Sequence, residues 1–386
     1  MTLKVDRRSF VPLYVQLKNI VQRQIMSGEL AAGAAVASEP TLCRQYGVSR
    51  ITVRQALGEL EVEGMIRREP GRGTFVRANV SKRGLAIGLL FGGMSERTFG
   101  HRNDTSFGDL VRGAAEVASR RGALVHPIPL SDGDDLTMAL ANPSICQLNG
   151  LLVRIAHEFT EDMLKALDGT GLPYVVVKRR VPVGRANCVY SDDVAGAEAL
   201  TAHLLSLGHR RVGLLLGPAE VGVWDERRRG FELAHARLGL ELDDALIYRG
   251  RYPMDEAGHD GARVLLAIPD SPTAFFAGND YMAVGVYRAL RDLGLEPGRD
   301  VAVAGYGDTS FSTTMYPALT TISTPGRSFG KASADLLLDT ITGIAQGIMQ
   351  VTVPWSLEVR QSSDPEVPPA DRPARPDADA VVHTEV

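Results

Sequence analysis

The sequence predicts an α/β protein in two parts: a small, mainly helical head closed by a two-stranded hairpin, and a larger, doubly wound domain of two lobes. Three observations predict it. Before residue 65, apolar residues recur at helical spacing in three short runs, and a glycine-tipped hairpin follows. From Gly84 onward, short apolar runs alternate with helical segments, the pattern of parallel strands joined by right-handed crossovers. The 386 residues, 44% hydrophobic and 23% charged, suffice for two or three ordinary soluble domains.

In the head, Leu13, Leu17, Ile20, Val21 and Ile25 mark an amphipathic helix over 12–28 that stops at Ser27-Gly28. Ser38-Glu39-Pro40 starts a second helix, with Ser38 as N-cap and proline tolerated in the first turn. It ends at Tyr46-Gly47. Ser49 caps a third helix whose apolar face is Val53, Ala56, Leu57 and Leu60, and Gly64 terminates it. Residues 65–77 form the hairpin, with Gly71-Arg72-Gly73 at its tip. Strands are expected at Leu85–Phe91, Leu124–Ile128, Leu151–Val153, Tyr174–Val177, Val212–Leu216, Ala274–Ala277 and Val301–Ala304. Helices between them include 107–121, 192–207, 225–238, 255–267 and 281–293. The resulting division is a head over 1–78, a linker over 79–84, the two-lobed domain over 85–362, and a Pro/Asp/Ala-rich disordered tail over 363–386.

Charge and cysteine content narrow the function. The net charge of -4 hides an asymmetry: residues 1–84 hold 14 Lys/Arg against 7 Asp/Glu, so the remainder is strongly acidic. A basic head on an acidic body suits a polyanionic partner for the head alone. No apolar run is long enough to span a bilayer, and Met1 to Val11 lacks the apolar core of a secretory signal. Cys43, Cys146 and Cys188 are few and far apart, which fits a reducing, cytoplasmic setting and neither a disulfide framework nor a metal site. No cofactor is expected, and no nucleophile elbow or phosphate loop is present to suggest an enzyme.

The informative segment is Gly47-Val48-Ser49-Arg50-Ile51-Thr52-Val53-Arg54. Arg50, Thr52, Arg54 and Gln55 lie on the first turns of a capped helix, away from its apolar face. A helix that enters the major groove reads bases with those turns, and arginine pairs bidentately with guanine. Arg72, flanked by glycines, can approach phosphate or enter the minor groove. Cap, turn, helix and wing in this order form a winged helix-turn-helix for double-stranded operator DNA.

The segments Pro12-Leu13-Tyr14, Gly28-Glu29-Leu30, Ser38-Glu39, Gly47-Val48-Ser49-Arg50, Thr52-Val53-Arg54 and Gly71-Arg72-Gly73-Thr74-Phe75-Val76 resemble the GntR-family winged helix-turn-helix. The resemblance implies a DNA-contacting set of Ser38, Arg44, Ser49, Arg50, Thr52, Arg54, Gln55, Arg72 and Gly73. Two departures stand out: Ala37 replaces the usual proline, and Pro40 occupies the place of a common operator-contacting arginine, a contact that Arg44 could supply.

Downstream, Phe107-Gly108-Asp109-Leu110-Val111-Arg112-Gly113, Ser191-Asp192, Leu207-Gly208-His209-Arg210-Arg211-Val212, Asn279-Asp280-Tyr281-Met282-Ala283-Val284-Gly285, Val303-Ala304-Gly305-Tyr306 and Pro317-Ala318-Leu319-Thr320-Thr321-Ile322 resemble the LacI-family effector domain. That fold is periplasmic-binding-protein-like, and the combination is similar to the AraR group of arabinose-responsive repressors. The resemblance implies a homodimer on a palindromic operator, a sensor whose lobes close on a ligand at the carboxyl ends of their strands, and repression relieved by that ligand. The implied effector-binding residues are Phe107, Arg154, Lys178, Arg227, Tyr252, Asn279 and Asp308 after Gly307. Phe107 and Tyr252 would stack, Asn279 would give a donor and an acceptor, and Arg227 would anchor.

Relative to sugar and purine regulators, Lys178 and Gly307 stand where an aspartate is common, and Arg154 where a small polar residue is common. The expected effector is therefore anionic: a sugar acid, a sugar phosphate or another carboxylate. The alternative is an uncharged pentose or hexose, with Arg154 and Lys178 turned outward to Asp308 or to surface acids. His209 reads as a loop residue, and Arg228 and Arg229 as surface companions of Arg227. The competing classes are a solute-binding protein of a transport system and an enzyme on an α/β scaffold.

Overall fold

The computed structural model describes residues 12–26, 28–77, 85–92, 105–130, 136–142, 147–155, 159–219 and 221–364, together with Val5, Arg7 and Ile145. The chain forms two compact units. One joins the head to the first lobe, out to Asp192 and again over Pro325–Pro354; the other comprises Asp193–Ala219, Val223–Thr324 and the chain from Trp355.

The head contains α1 (Leu13–Met26), β1 (Ala35–Val36), α2 (Glu39–Tyr46), α3 (Arg50–Val62), β2 (Ile66–Glu69) and β3 (Gly73–Val76). Local chemistry sets the helix boundaries. Ser38 Oγ accepts from Thr41 N at the start of α2, and Gly47, at φ 65°, ends that helix in the left-handed conformation. Ser49 Oγ then accepts from Thr52 N to start α3. Leu17, Val21, Leu42, Val53, Leu57, Leu60 and Ile66 form the head's core. Each such side chain contributes about 1.5–3 kcal/mol by leaving water. Lys18, 2% exposed, holds α1 to α3 through Glu63 at 3.0 Å and Glu59 at 3.7 Å.

The first lobe is a parallel six-stranded sheet in the order β14-β8-β7-β6-β4-β5. Its strands are β4 (Leu85–Gly92), β5 (Ala123–Pro129), β6 (Gly150–Ile155), β7 (Tyr174–Val177), β8 (Asn187–Tyr190) and β14 (Gln350–Thr352). Helices α4 (Thr105–Arg120), α5 (Leu136–Leu140), α6 (Glu161–Gly169) and α11 (Gly326–Ile341) cover it. Helix α1 of the head meets this lobe just beyond α6, where Asn19 Nδ2 donates to Thr170 O at 3.1 Å and Arg23 donates to Gly171 O.

The second lobe has the order β10-β9-β11-β12-β13-β15, parallel except for the antiparallel β15. Its strands are β9 (Val212–Leu216), β10 (Ile247–Arg249), β11 (Ala274–Ala277), β12 (Ala302–Gly307), β13 (Thr320–Ser323) and β15 (Ser356–Glu358). Its helices are α7 (Asp193–Ser206), α8 (Val223–Arg237), α9 (Met254–Leu266) and α10 (Asp280–Asp292). The central strands β9 and β11 are buried along their whole length, as a sheet covered on both faces requires.

The strands expected at Tyr174–Val177, Val212–Leu216 and Ala274–Ala277 occur with those bounds. The one expected at Leu151–Val153 extends to Ile155, which makes Arg154 a strand residue. The tail expected from residue 363 begins too early. Ser362 and Ser363 are buried, with Ser362 Oγ donating to Val303 O and Ser363 Oγ bonded to Thr320 and His203. The linker over 79–84 and the chain after Asp364 lie outside the described residues. Among the described residues, no helix is long and apolar enough to cross a membrane.

Candidate nucleic-acid interface and effector-binding edges

Burial of Val53, Ala56, Leu57 and Leu60 turns the other side of α3 outward. Ser49, Arg50, Arg54 and Gln55 are exposed there. Thr52 is only half exposed, its hydroxyl 2.8 Å from that of Ser49, so it serves the cap as well as the surface. Ser38 is likewise committed to a cap, its hydroxyl 2.9 Å from that of Thr41. Arg44 is exposed in the last turn of α2. At the hairpin tip Arg72 and Gly73 are exposed, and Gly71 and Gly73 both take positive φ, 73° and 122°.

Acidic residues pair with two of these arginines. Arg54 Nε lies 3.0 Å from Glu39, and Arg72 Nη1 lies 2.8 Å from Glu69. Arg68 leans on Glu61 at 3.4 Å and donates to the carbonyl of Arg54 at 3.3 Å. Exposed pairs of this kind contribute about 0–1 kcal/mol, so a phosphate or a guanine edge can displace the carboxylate.

On the carboxyl edge of the first lobe, Phe107 is half-buried, its ring centroid 4.3 Å from that of Phe91, so it belongs partly to the core. Arg154 is half-buried near the end of β6. Lys178 follows β7 directly, at φ 60°. Its N–H donates to Val189 O at 2.8 Å, and its ammonium stands 5.0 Å from the centroid of Phe329.

The carboxyl edge of the second lobe carries Arg227, Tyr252, Asn279 and Asp308, placed after β9, β10, β11 and β12. Arg227 donates twice to Asp193 Oδ1, at 2.8 and 3.0 Å, and once to Gly278 O at 2.6 Å. Its guanidinium lies 3.9 Å from the ring centroid of Tyr306. Three of its five donors are thus engaged, and the expected anchor is already charge-compensated. Asn279 Oδ1 caps α10 by accepting from Met282 N at 2.8 Å, so it offers a ligand its amide N–H groups rather than both functions. Asp308, offered above as a partner for Arg154 or Lys178, is held by Arg360 at 2.8 Å. Tyr252 is half-buried between β10 and α9.

The Gly307-Asp308 segment is pinned from beneath. Asp280, fully buried, accepts from Thr309 N at 2.7 Å and from the hydroxyls of Thr309, Ser312 and Thr321 at 2.7–3.0 Å. Burial pushes its carboxyl above the ordinary range, against the pull of those bonds.

Residues 13–76 match the model of the bacterial regulatory proteins of the gntR family, and residues 201–363 match a periplasmic binding protein-like domain. The arabinose metabolism transcriptional repressor of Geobacillus stearothermophilus is 31% identical over 349 residues, 86% of this chain and 92% of that protein. The chain belongs to the regulators that join a GntR-type DNA reader to a LacI-type sensor. The ribose operon repressor of Escherichia coli K12 is 31% identical over 61% of this chain and 72% of its own length. The solved transcriptional regulator CelR–cellobiose complex has TM-score 0.64 and 26% identity, covering 82% of this chain and 91% of that one.

As a member of this family the chain is a ligand-responsive transcription regulator. Sequence reasoning missed several residues around its two candidate sites: Glu39, Glu61 and Glu69 beside Arg54, Arg68 and Arg72, Asp193 and Tyr306 around Arg227, and Arg360 against Asp308. Glu69 stands three residues before Arg72, and Glu39 and Tyr306 lie in the segments that carry the resemblances, but the partners of Arg227 and Asp308 had no local signal. Asp193 and Arg227 are 34 positions apart, and Asp308 and Arg360 are 52 apart.

Proposed function

We propose that the chain is a cytoplasmic, homodimeric repressor that leaves a palindromic operator when a small anionic carbohydrate, a sugar acid or sugar phosphate, binds its sensor. Ser38, Arg44, Ser49, Arg50, Thr52, Arg54, Gln55, Arg72 and Gly73 form the DNA surface. Phe107, Arg154, Lys178, Arg227, Tyr252, Asn279 and Asp308 form the effector surface. The observation that carries the anionic reading is that two cationic side chains, Arg154 near the end of β6 and Lys178 directly after β7, stand on the same carboxyl edge of the first lobe. A ligand that carries negative charge offsets the desolvation of those cations better than a neutral one.

A second reading, a neutral sugar, is favoured by the charge compensation of the second lobe and by arabinose, ribose and cellobiose, the sugars in the names of its relatives. Isothermal titration of the full chain with gluconate, pentose phosphates and neutral pentoses decides between them. Tight binding of an anionic ligand that weakens at least tenfold in Lys178→Ala is expected. Tight binding of a neutral pentose, unchanged by Lys178→Ala, overturns the anionic reading. Release of a bound operator duplex by the same ligand tests the repressor reading as a whole.

A further inference from the structure

We infer that Ile51 reads the C5-methyl group of a thymine in the operator; the inference rests on α3 being the helix that enters the major groove. Ile51 is 79% exposed, on a helix whose other apolar residues in the first three turns are buried. At about 100° per residue it falls within about 10° of the direction opposite Val53, Ala56, Leu57 and Leu60, so it is the residue of the first turn that projects furthest from the core. Neither packing nor helix propensity accounts for a β-branched apolar residue there. Val62 is as exposed, at 80%, but it closes the last turn, away from the end that reads bases.

The surroundings of Ile51 say what it meets. Arg50 precedes it, and Arg54 and Gln55 follow at i+3 and i+4 on the same outward side. Arg54 is drawn toward α2 by Glu39. The cationic groups therefore flank Ile51 and suit phosphates and guanine edges, while the centre of the face is hydrocarbon. The base edges of unmodified DNA present one methyl group in the major groove, that of thymine. An isoleucine side chain gains by covering that methyl and loses by facing the polar edges of guanine, adenine or cytosine.

The test uses the full-length chain and a duplex it selects from a randomised pool, remade with single dT→dU replacements that remove only the methyl. For the wild-type chain, one replacement in each half-site is expected to weaken binding about fifteenfold, the value of two methyl-sized apolar contacts. Ile51→Ala, at an exposed position, is expected to fold normally by circular dichroism, to bind the dT duplex about fifteenfold more weakly, and to bind dT and dU duplexes equally. Ile51→Val is expected to retain the preference for dT. Indifference of the wild-type chain to every dT→dU replacement overturns the inference, as does a dT preference that survives in Ile51→Ala. Failure to select any duplex instead removes the reading of the head as a DNA reader, and this inference with it.

Discussion

On the outward side of α3 and at the hairpin tip, Arg54 and Arg72 keep 64% and 76% of their side chains exposed and lean on Glu39 and Glu69. On the carboxyl edge of the second lobe, Arg227 and Arg360 keep 13% and 17% and are enclosed by Asp193, Asp308, backbone carbonyls and the Tyr306 ring. The residue type is the same and the charge partner is a carboxylate in both places. Burial makes the difference. An exposed pair is weak because water competes for both partners, so those arginines can be handed to DNA. A buried pair is weak evidence of net stabilisation, yet breaking it is costly because one charge is left without water or partner. The head keeps its arginines available, and the second lobe commits them to shaping a surface.

The largest effect that follows is on folding. Arg227→Ala should lower the stability of the chain by about 3–5 kcal/mol, as it leaves Asp193 buried alone. Urea unfolding measures this, and the paired change Arg227→Met with Asp193→Leu should recover most of the loss. A cost below about 1 kcal/mol would erase the distinction drawn between the two sets of arginines.

Next is Arg50→Ala in the head. Operator affinity should fall about tenfold to a hundredfold, the value of one bidentate base contact, with stability changed by less than about 0.5 kcal/mol. Fluorescence anisotropy and thermal melts together check both halves of that statement.

Acid should also separate the regions, because residues 1–84 contain no histidine. In the second lobe, burial holds the imidazoles of His203 and His209 below their ordinary value of 6.5. The unfolded chain then takes up protons that the folded lobe resists, so the stability contribution is full above about pH 6.5 and is lost as the pH falls below it. Urea titrations between pH 7.5 and about 5 should show this slope, reduced in His203→Gln, whose target bonds Ser363 at 2.8 Å. A slope unchanged by that substitution would assign the effect to other groups.

The smallest effect is expected from Glu39→Gln, which frees Arg54. Operator affinity should rise no more than about fivefold, with a steeper dependence on salt, since one repelling carboxylate is gone. Weaker binding in this variant would mean that Glu39 positions Arg54 rather than competing for it.

The legible parts of this chain were those governed by neighbours in sequence. The caps Ser38 and Ser49, the glycine tip around Arg72 and the outward setting of Arg50, Arg54 and Gln55 follow from hydrogen bonds and periodicity spanning a few residues. The buried strands at Val212–Leu216 and Ala274–Ala277 were legible because continuous apolar runs of that length suit a doubly covered sheet. The effector edges were legible in position only. Arg227 looked like an open anchor, Asn279 like a two-way hydrogen-bonding group and Asp308 like a partner for the first lobe's cations, and each is instead partly committed within its own lobe.

The sequence by itself therefore determined the head, its capped third helix and the two-lobed α/β plan, because those depend on short-range spacing and on apolar runs that must be buried. Only the tertiary structure decided which charges are available. Whether an arginine stays in water against a surface acid or is enclosed with a distant carboxylate depends on residues that the fold brings together from far along the chain. Coulomb interaction and desolvation act through space rather than along the sequence.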